Sequence, residues 1–301
     1  MKKIIVTTTI NEPTKALKRF AKFNDWELIV IGDLKTPHNS YENFNCIYLS
    51  PETQEKKYPE LSNAIGWNCI MRRNIGFVEA FKRGADIIAT IDDDNIPYSN
   101  WGKDLYVGQE LEVDIYNSRN NYFDPLSISN YKNLWHRGYP IECLSSKNDI
   151  FYKGQEKRKV LIQADLWDGD PDIDAICRLS HMPIVKFNID KPFASDNLSP
   201  FNSQNTFFAR EVIPYYSVLP HVGRMDDIWG GYLLQKEFPK SLVFNRASVY
   251  QERNPQDLIR NLEDEIIGYR QTYKLIQNFD NQESIFPEKT KEFLKIYRSQ
   301  F

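Results

Sequence analysis

Ile87-Ile88-Ala89-Thr90-Ile91-Asp92-Asp93-Asp94 reads as a buried β-strand that delivers three carboxylates to its C-terminal end. The apolar run is short, rich in β-branched residues and preceded by Gly84, which favours strand over helix. Alternation along a strand puts Asp92 and Asp94 on one side and turns Asp93 away. Two carboxylates side by side repel each other, and a divalent ion bridging them to a diphosphate would remove that cost. In open α/β sheets, ligands bind beyond the carboxyl ends of the strands, which is where this cluster falls. A solvated acidic turn before Pro97 is the plainer alternative.

Working outward, Lys3 to Thr8 reads as a first strand, followed by Asn11-Glu12-Pro13 and a helix with Pro13 in its first turn and Leu17, Phe20 and Phe23 as its stripe. Trp26 to Ile31 reads as a second strand and Cys46 to Leu49 as a short third. Leu61 to Lys82 carries a helical pattern with a break expected at Gly66 or Gly76. Further strands are expected at 114–116, 160–164, 206–209 and 241–243, with a polar loop over 117–154. Two helices close the chain, the first from about Gln256 to Phe279 with Leu258, Leu262, Ile266, Tyr269 and Tyr273 on its stripe, the second from about Pro287 to Tyr297. Strands alternating with helices predict an α/β domain with a mixed, mostly parallel sheet and helices on both faces. The expected division is a nucleotide-binding and catalytic domain over 1–254 and a helical extension over 255–301 packed on it.

The chain has 301 residues, and 38 basic side chains against 41 acidic ones leave a formal charge of −3. That near-balance gives no footprint for nucleic acid and no broad pull toward anionic membranes. Cys46, Cys69, Cys143 and Cys177 show no C-x-x-C spacing and read as reduced thiols. Ile4-Ile5-Val6 is too short for a signal-peptide core, and no long apolar segment follows. A soluble cytoplasmic protein, at most peripheral to a membrane and with a homo-oligomer left open, is the expectation.

Other residues can carry chemistry. Asp33, after the second strand, suits a base or ribose hydroxyl, or a plain turn. Arg73, with Asn74, precedes the acidic strand where a guanidinium can take a diphosphate. In Arg224-Met225-Asp226-Asp227-Ile228-Trp229-Gly230-Gly231, Asp226 is expected to cap a helix and Asp227 to act on a sugar as base or charge stabiliser. Five aspartates lie between Asp165 and Asp174 around Trp167, a ring able to stack on a pyranose. Asp165 is a second candidate for handling protons. Asp172 and Asp174 are explained by a loop leading into a helix. His136 and His221 stand alone.

With these pieces in order, the chain resembles the reversibly glycosylated polypeptides, the UDP-arabinopyranose mutase family. Thr9-Ile10-Asn11, just after Thr8, matches its nucleotide-binding turn, and Arg73-Asn74-Ile75-Gly76-Phe77 through Ile91-Asp92-Asp93-Asp94 its helix and metal strand. Tyr122-Phe123-Asp124-Pro125, Arg137-Gly138-Tyr139-Pro140, Leu166-Trp167 with Pro171-Asp172-Ile173-Asp174-Ala175, Asn205 to Glu211 and Arg224 to Gly231 follow in the family's order. An Asp-x-Asp at a strand end is also the signature of GT-A glycosyltransferases. The resemblance implies a GT-A-type fold and Mn²⁺ or Mg²⁺ on Asp92 and Asp94. It also implies a UDP- or GDP-linked sugar held by Thr8, Thr9, Ile10, Asn11, Asp33, Arg73, Asn74, Asp92 and Asp93. Asp227, Asp226, Asp165, Trp167 and Arg137 are then the catalytic candidates. The implied activity is pyranose–furanose interconversion of the nucleotide-sugar for polysaccharide biosynthesis. Its rivals are sugar transfer to a separate acceptor and a non-catalytic nucleotide-sugar-binding subunit. Two departures matter. Ile141-Glu142-Cys143-Leu144 lacks the arginine associated with self-glycosylation, so that activity does not carry over. Where the family has a histidine before the last helices, Gln251 or a water must complete the metal's ligands.

Overall fold

The computed structural model describes residues 1–253 and 255–301. Its first half alternates strand and helix: β1 (Lys3–Thr9), α1 (Lys15–Phe20), β2 (Glu27–Gly32), β3 (Ile47–Leu49), α2 (Pro51–Lys57), α3 (Pro59–Ile65), α4 (Arg73–Lys82) and β4 (Ile87–Ile91). The second half holds β5 (Asn95–Pro97), β6 (Glu110–Ser118), β7 (Ile150–Lys159), β8 (Ile162–Gly169), α5 (Ala175–His181), β9 (Phe193–Ala194), β10 (Asn205–Ala209), α6 (Asp226–Glu237) and β11 (Leu242–Gln251). It closes with α7 (Leu258–Gln277), short α8 (Gln282–Ile285) and α9 (Glu288–Arg298).

One sheet runs β3-β2-β1-β4-β10-β8-β11-β9-β6-β7, with β5 paired to β11. From β3 to β11 every neighbour is parallel except those of β10, which runs antiparallel to both β4 and β8. This is the mixed α/β, mostly parallel architecture expected of a GT-A-type chain. Helices cover both faces, as two consecutive residues of β10 reveal. Phe207 packs on Trp26 and Trp101, which meets Phe20 of α1, while Phe208 packs on Phe77 of α4 and on Tyr216. Gly76 does not break α4; a Cβ there would come within 2.3 Å of Val6, so the glycine lets α4 lie close on β1.

Several expectations change. The break in the 61–82 pattern is at Gly66, whose φ is +77°, and the residues after it lead into α4. Thr14, not Pro13, starts α1, its hydroxyl accepting from the Leu17 amide. The loop expected over 117–154 contains the start of β7, which forms a hairpin with β6 held by cross-strand pairs such as Glu112 with Lys157. β8 extends through Gly169, so Asp165, Trp167 and Asp168 lie in a buried strand and not in a loop. The buried face of α7 runs through Glu265, Gly268, Thr272, Leu275 and Ile276, while Ile266 is exposed. Polar residues point inward there because each has a partner: Glu265 accepts from the Ala175 amide and from Arg224, and Thr272 from the Trp229 indole. The boundary set at Asn254 lies outside the described residues; α7 packs against α5, and α9 against α3.

Candidate active site

The C-terminal ends of β1, β2 and β4 open into a cleft of about 320 Å³ lined by Thr8, Thr9, Ile10, Asn11, Asp33, Asn68, Cys69, Ile70 and Asp93. Its walls are fixed by polar contacts. Asp93 accepts from the Thr9 hydroxyl and, at 3.0 Å, from the Asn11 amide, and its backbone carbonyl accepts from Thr14. Asp33 accepts from the amides of Leu34, Asn68 and Cys69 at 2.7, 2.8 and 3.1 Å, pinning the start of the 68–72 segment to the end of β2. Tyr41 donates to the Asn11 carbonyl and stacks on Tyr48 behind the cleft.

Across Ile70 and the Asp92–Asp94 turn lies a second compartment of about 270 Å³. Asp92 and Asp94 both line it, with Arg137, Asp172, Gln204, Arg224, Asp226, Asp227, Gln251 and Arg253. The expected alternation is thus present: Asp93 faces the first compartment, its two neighbours the second.

Arg73 and Asn74 occupy different positions from those expected of diphosphate ligands. Arg73 is 1% exposed and turned into the protein, donating to Ser203 Oγ at 2.6 Å, to the carbonyls of Ser203 and Ile91, and to Asp92 Oδ1 at 2.5 Å. Asn74 bridges the backbone of Val218 in both directions and caps the Met71 carbonyl. Both lie buried in the first turn of α4. The adjacent Arg72 is equally buried, bonded to Gln54 and Ser62.

Arg137 is the hub of the second compartment. Its guanidinium grips Asp172 bidentately at 2.8 and 2.9 Å, reaches Asp227 at 3.0 Å and lies 3.6 Å from Asp226. Burial works against its charge, yet these three carboxylates hold its pKa well above the ordinary value. Asp227 also accepts from the Ser203 amide and hydroxyl at 2.8 and 3.0 Å, so both of its oxygens are engaged. Burial would raise Asp227, but Arg137 outweighs it and keeps the carboxyl below its usual range. Asp172, equally buried, is held down in the same way.

Asp226 differs. It does not cap α6; Met225 occupies the N-cap position and Asp226 is the first helical residue. One oxygen accepts from the Asp227 amide at 2.8 Å, and the carboxyl borders the compartment. Burial, then the charge of Asp227, push its pKa up to about 8. Asp226 is thus not the helix cap expected from sequence, and Asp227, with both oxygens engaged by Arg137 and Ser203, is held more tightly than its neighbour.

Asp165 and Trp167 are away from both compartments. Asp165 accepts from Gln163 at 2.8 Å, and burial pushes its pKa up to about 7. Trp167 is 3% exposed and edge-on to His136 and Phe187, so no sugar can stack on it.

The donors suit a hard divalent cation. Asp92 and Asp94 offer carboxylate oxygens to one compartment, and burial together with the charges of Asp227 and Asp93 raises the pKa of Asp92 despite Arg73. Among the described residues no group of three or more His, Cys, Asp and Glu is arranged as a complete metal site. Mg²⁺ and Mn²⁺ are commonly held by one or two carboxylates with phosphate oxygens and water supplying the rest. Gln251 is a poor third ligand, because its Oε1 already accepts from Gln204 and from Arg253.

Sequence reasoning did not single out Asp172, Ser203, Gln204, Arg224 or Arg253 as site residues. Asp172 had a signal in the Pro-Asp-Ile-Asp piece, but it also fitted a helix cap; Asp174 is that cap, accepting from the Cys177 amide.

No family model matches the chain, so the likeness to the mutases stays at the level of short motifs. Two curated relatives from Arabidopsis thaliana, the probable glycosyltransferases STELLO2 and STELLO1, are each 24% identical over 225 residues, covering 68% of this chain. The chain spans 29% of the length of these relatives. Among solved structures, glucosyl-3-phosphoglycerate synthase from Mycobacterium tuberculosis, in complex with Mn²⁺, uridine diphosphate and phosphoglyceric acid, is similar with a TM-score of 0.45 and 12% identity over 90% of this chain and 76% of that one. S. aureus TarS 1-349 in complex with UDP-GlcNAc gives 0.43 and 9% over 100% and 90%.

Proposed function

We propose that this chain is a metal-dependent glycosyltransferase that moves a sugar from a nucleotide diphosphate-sugar to a separate acceptor. The observation that carries the reading is the two-compartment cleft divided by Asp92, Asp93 and Asp94, with the proton-binding Asp226 on the far side from the Thr9–Asp33 wall. The curated relatives, named as probable glycosyltransferases, support transfer over the pyranose–furanose mutase reading. In this proposal the nucleoside lies against Thr8 to Asn11 and Asp33. A divalent ion on Asp92 and Asp94 would neutralise the diphosphate and make it a better leaving group. Arg224 and Arg253, cationic side chains of the second compartment, offset charge as the diphosphate departs. The acceptor hydroxyl oxygen bonds to the anomeric carbon, the bond from that carbon to the diphosphate oxygen breaks, and the hydroxyl proton passes to Asp226. Arg137 keeps Asp227 and Asp172 ionised, and the charge of Asp227 sustains the basicity of Asp226.

The mutase reading uses the same cleft and is favoured by one thing, the order of the family's motifs from Thr9 to Gly231. One experiment separates the readings. The protein is incubated with UDP- and GDP-sugars and Mn²⁺, with and without candidate glycan acceptors, and anomeric NMR signals are followed. Transfer gives free nucleotide diphosphate and a new glycosidic signal that needs acceptor. A furanosyl nucleotide-sugar formed without acceptor would mean a mutase, and binding without turnover a non-catalytic subunit.

A further inference from the structure

Among the described residues twelve large apolar side chains are exposed, and four of them fall within nine positions: Ile176, Leu179, Met182 and Ile184, at 40, 41, 63 and 67%. Ile176, Leu179 and Met182 recur every third residue along α5 and its left-handed C-cap, so they form one stripe. The chain then runs extended, with Val185 bridged to Gly169 and buried while Ile184 and Lys186 face solvent. A mean surface scatters such side chains singly; a contiguous set signals a partner.

Exposed lysines lie on the segments that border this stripe. Of these, Lys186 extends from the same strip, and its amide donates to the hydroxyl of Tyr131, the sequence neighbour of exposed Lys132. His181 ends α5 beside Asn133. Asp190 is the acidic residue of the strip that follows. The chain as a whole carries −3, so this basic border is local. The start of α5 leads back to the cleft. Asp174, immediately before α5, caps it, and Asp172, two residues earlier, is gripped by Arg137.

We propose that this face, Leu179-Met182-Ile184 with Lys132 and Lys186, docks on an anionic lipid surface. Apolar side chains entering the headgroup region and lysines meeting anionic lipid are the two parts of peripheral membrane binding, and both are present on one face. No helix among the described residues is long and apolar enough to cross a membrane, so this contact is distinct from a span. If the transferase reading holds, docking would hold the acceptor side of the cleft at the headgroups and select a membrane-borne acceptor.

The test needs no sugar nucleotide, so it stands apart from that reading. The full chain is sedimented with phosphatidylcholine vesicles with and without phosphatidylserine. The expected result is binding to the phosphatidylserine vesicles that weakens with salt and falls roughly tenfold or more in the double variant Met182→Asp, Ile184→Asp. Lys186→Glu, which leaves the apolar stripe intact, is expected to weaken it less and to remove most of the salt dependence. An unchanged melting curve in each variant confirms the fold. Absence of wild-type sedimentation, or equal sedimentation of the double variant, overturns the proposal. So does a wild-type dimer in solution that the double variant dissociates without any vesicle binding, since the face would then be covered by a second copy of this chain.

Discussion

Arg73, in the first turn of α4, holds Asp92 at the end of β4 through a 2.5 Å contact from Nη2 while its Nη1 binds Ser203 on the segment before β10. One buried guanidinium thus ties a carboxylate of the cleft to the same serine that clamps Asp227. It acts on the site through Asp92 and not by touching a ligand.

Arg73→Ala is therefore expected to be chiefly a stability variant. Removing one partner of a fully buried pair costs about 3–5 kcal/mol, and because the Asp92 side chain is 27% exposed the loss here is expected to fall below that range. Chemical denaturation measures this. A variant as stable as wild type with selectively weaker nucleotide binding would mean that Arg73 is a direct ligand after all.

Asp226 and Asp227 should part company. Asp226→Asn removes the group that takes the proton, and turnover is expected to drop by about 10²–10⁴-fold with nucleotide binding intact. Its melting temperature should equal or exceed wild type, since the carboxyl is buried against a like charge. Asp227→Asn breaks the Arg137 and Ser203 contacts and is expected to lose stability together with activity. Thermal melts alongside initial rates check both, and the reverse pattern would restore Asp227 as the base.

The buried carboxyls also set a pH dependence. Asp165 and Asp174 are each pushed up to about 7 by burial. A folded value above the unfolded one means that the native state binds more protons between about pH 4 and about 7. The stability tied to these groups is fully present below the unfolded value and is lost as pH rises through the folded one. Asp165→Asn, away from the cleft, should flatten that decline and melt above wild type at alkaline pH. A variant whose melting temperature falls with pH as steeply as wild type would remove Asp165 from this account.

Much of the fold was legible because β1, β2 and β4 are short β-branched runs ending in polar residues, and alternation put Asp93 opposite Asp92 and Asp94. What was hidden depends on partners far along the chain. Five aspartates from Asp165 to Asp174 look like a loop until Arg137, Arg178 and Gln163 supply the contacts that let them be buried. Arg73 looks like a ligand because Ser203, its partner, is 130 residues away. Asp226 and Asp227 cannot be told apart locally, since Arg137 decides between them from 90 residues upstream. α7 misled for a related reason: its inward face is polar and satisfied, so apolar periodicity gave the wrong side.

The central claim is that the Asp92–Asp94 turn joins a divalent cation to a nucleotide diphosphate. Calorimetric titration of UDP and of GDP into the protein, with Mn²⁺ and then with chelator, tests it most directly, alongside the Asp94→Asn variant. The account predicts binding of one nucleotide that depends on the cation and is lost in Asp94→Asn with the melting temperature retained. Equal binding in chelator, or undiminished cation-dependent binding by Asp94→Asn, would contradict it.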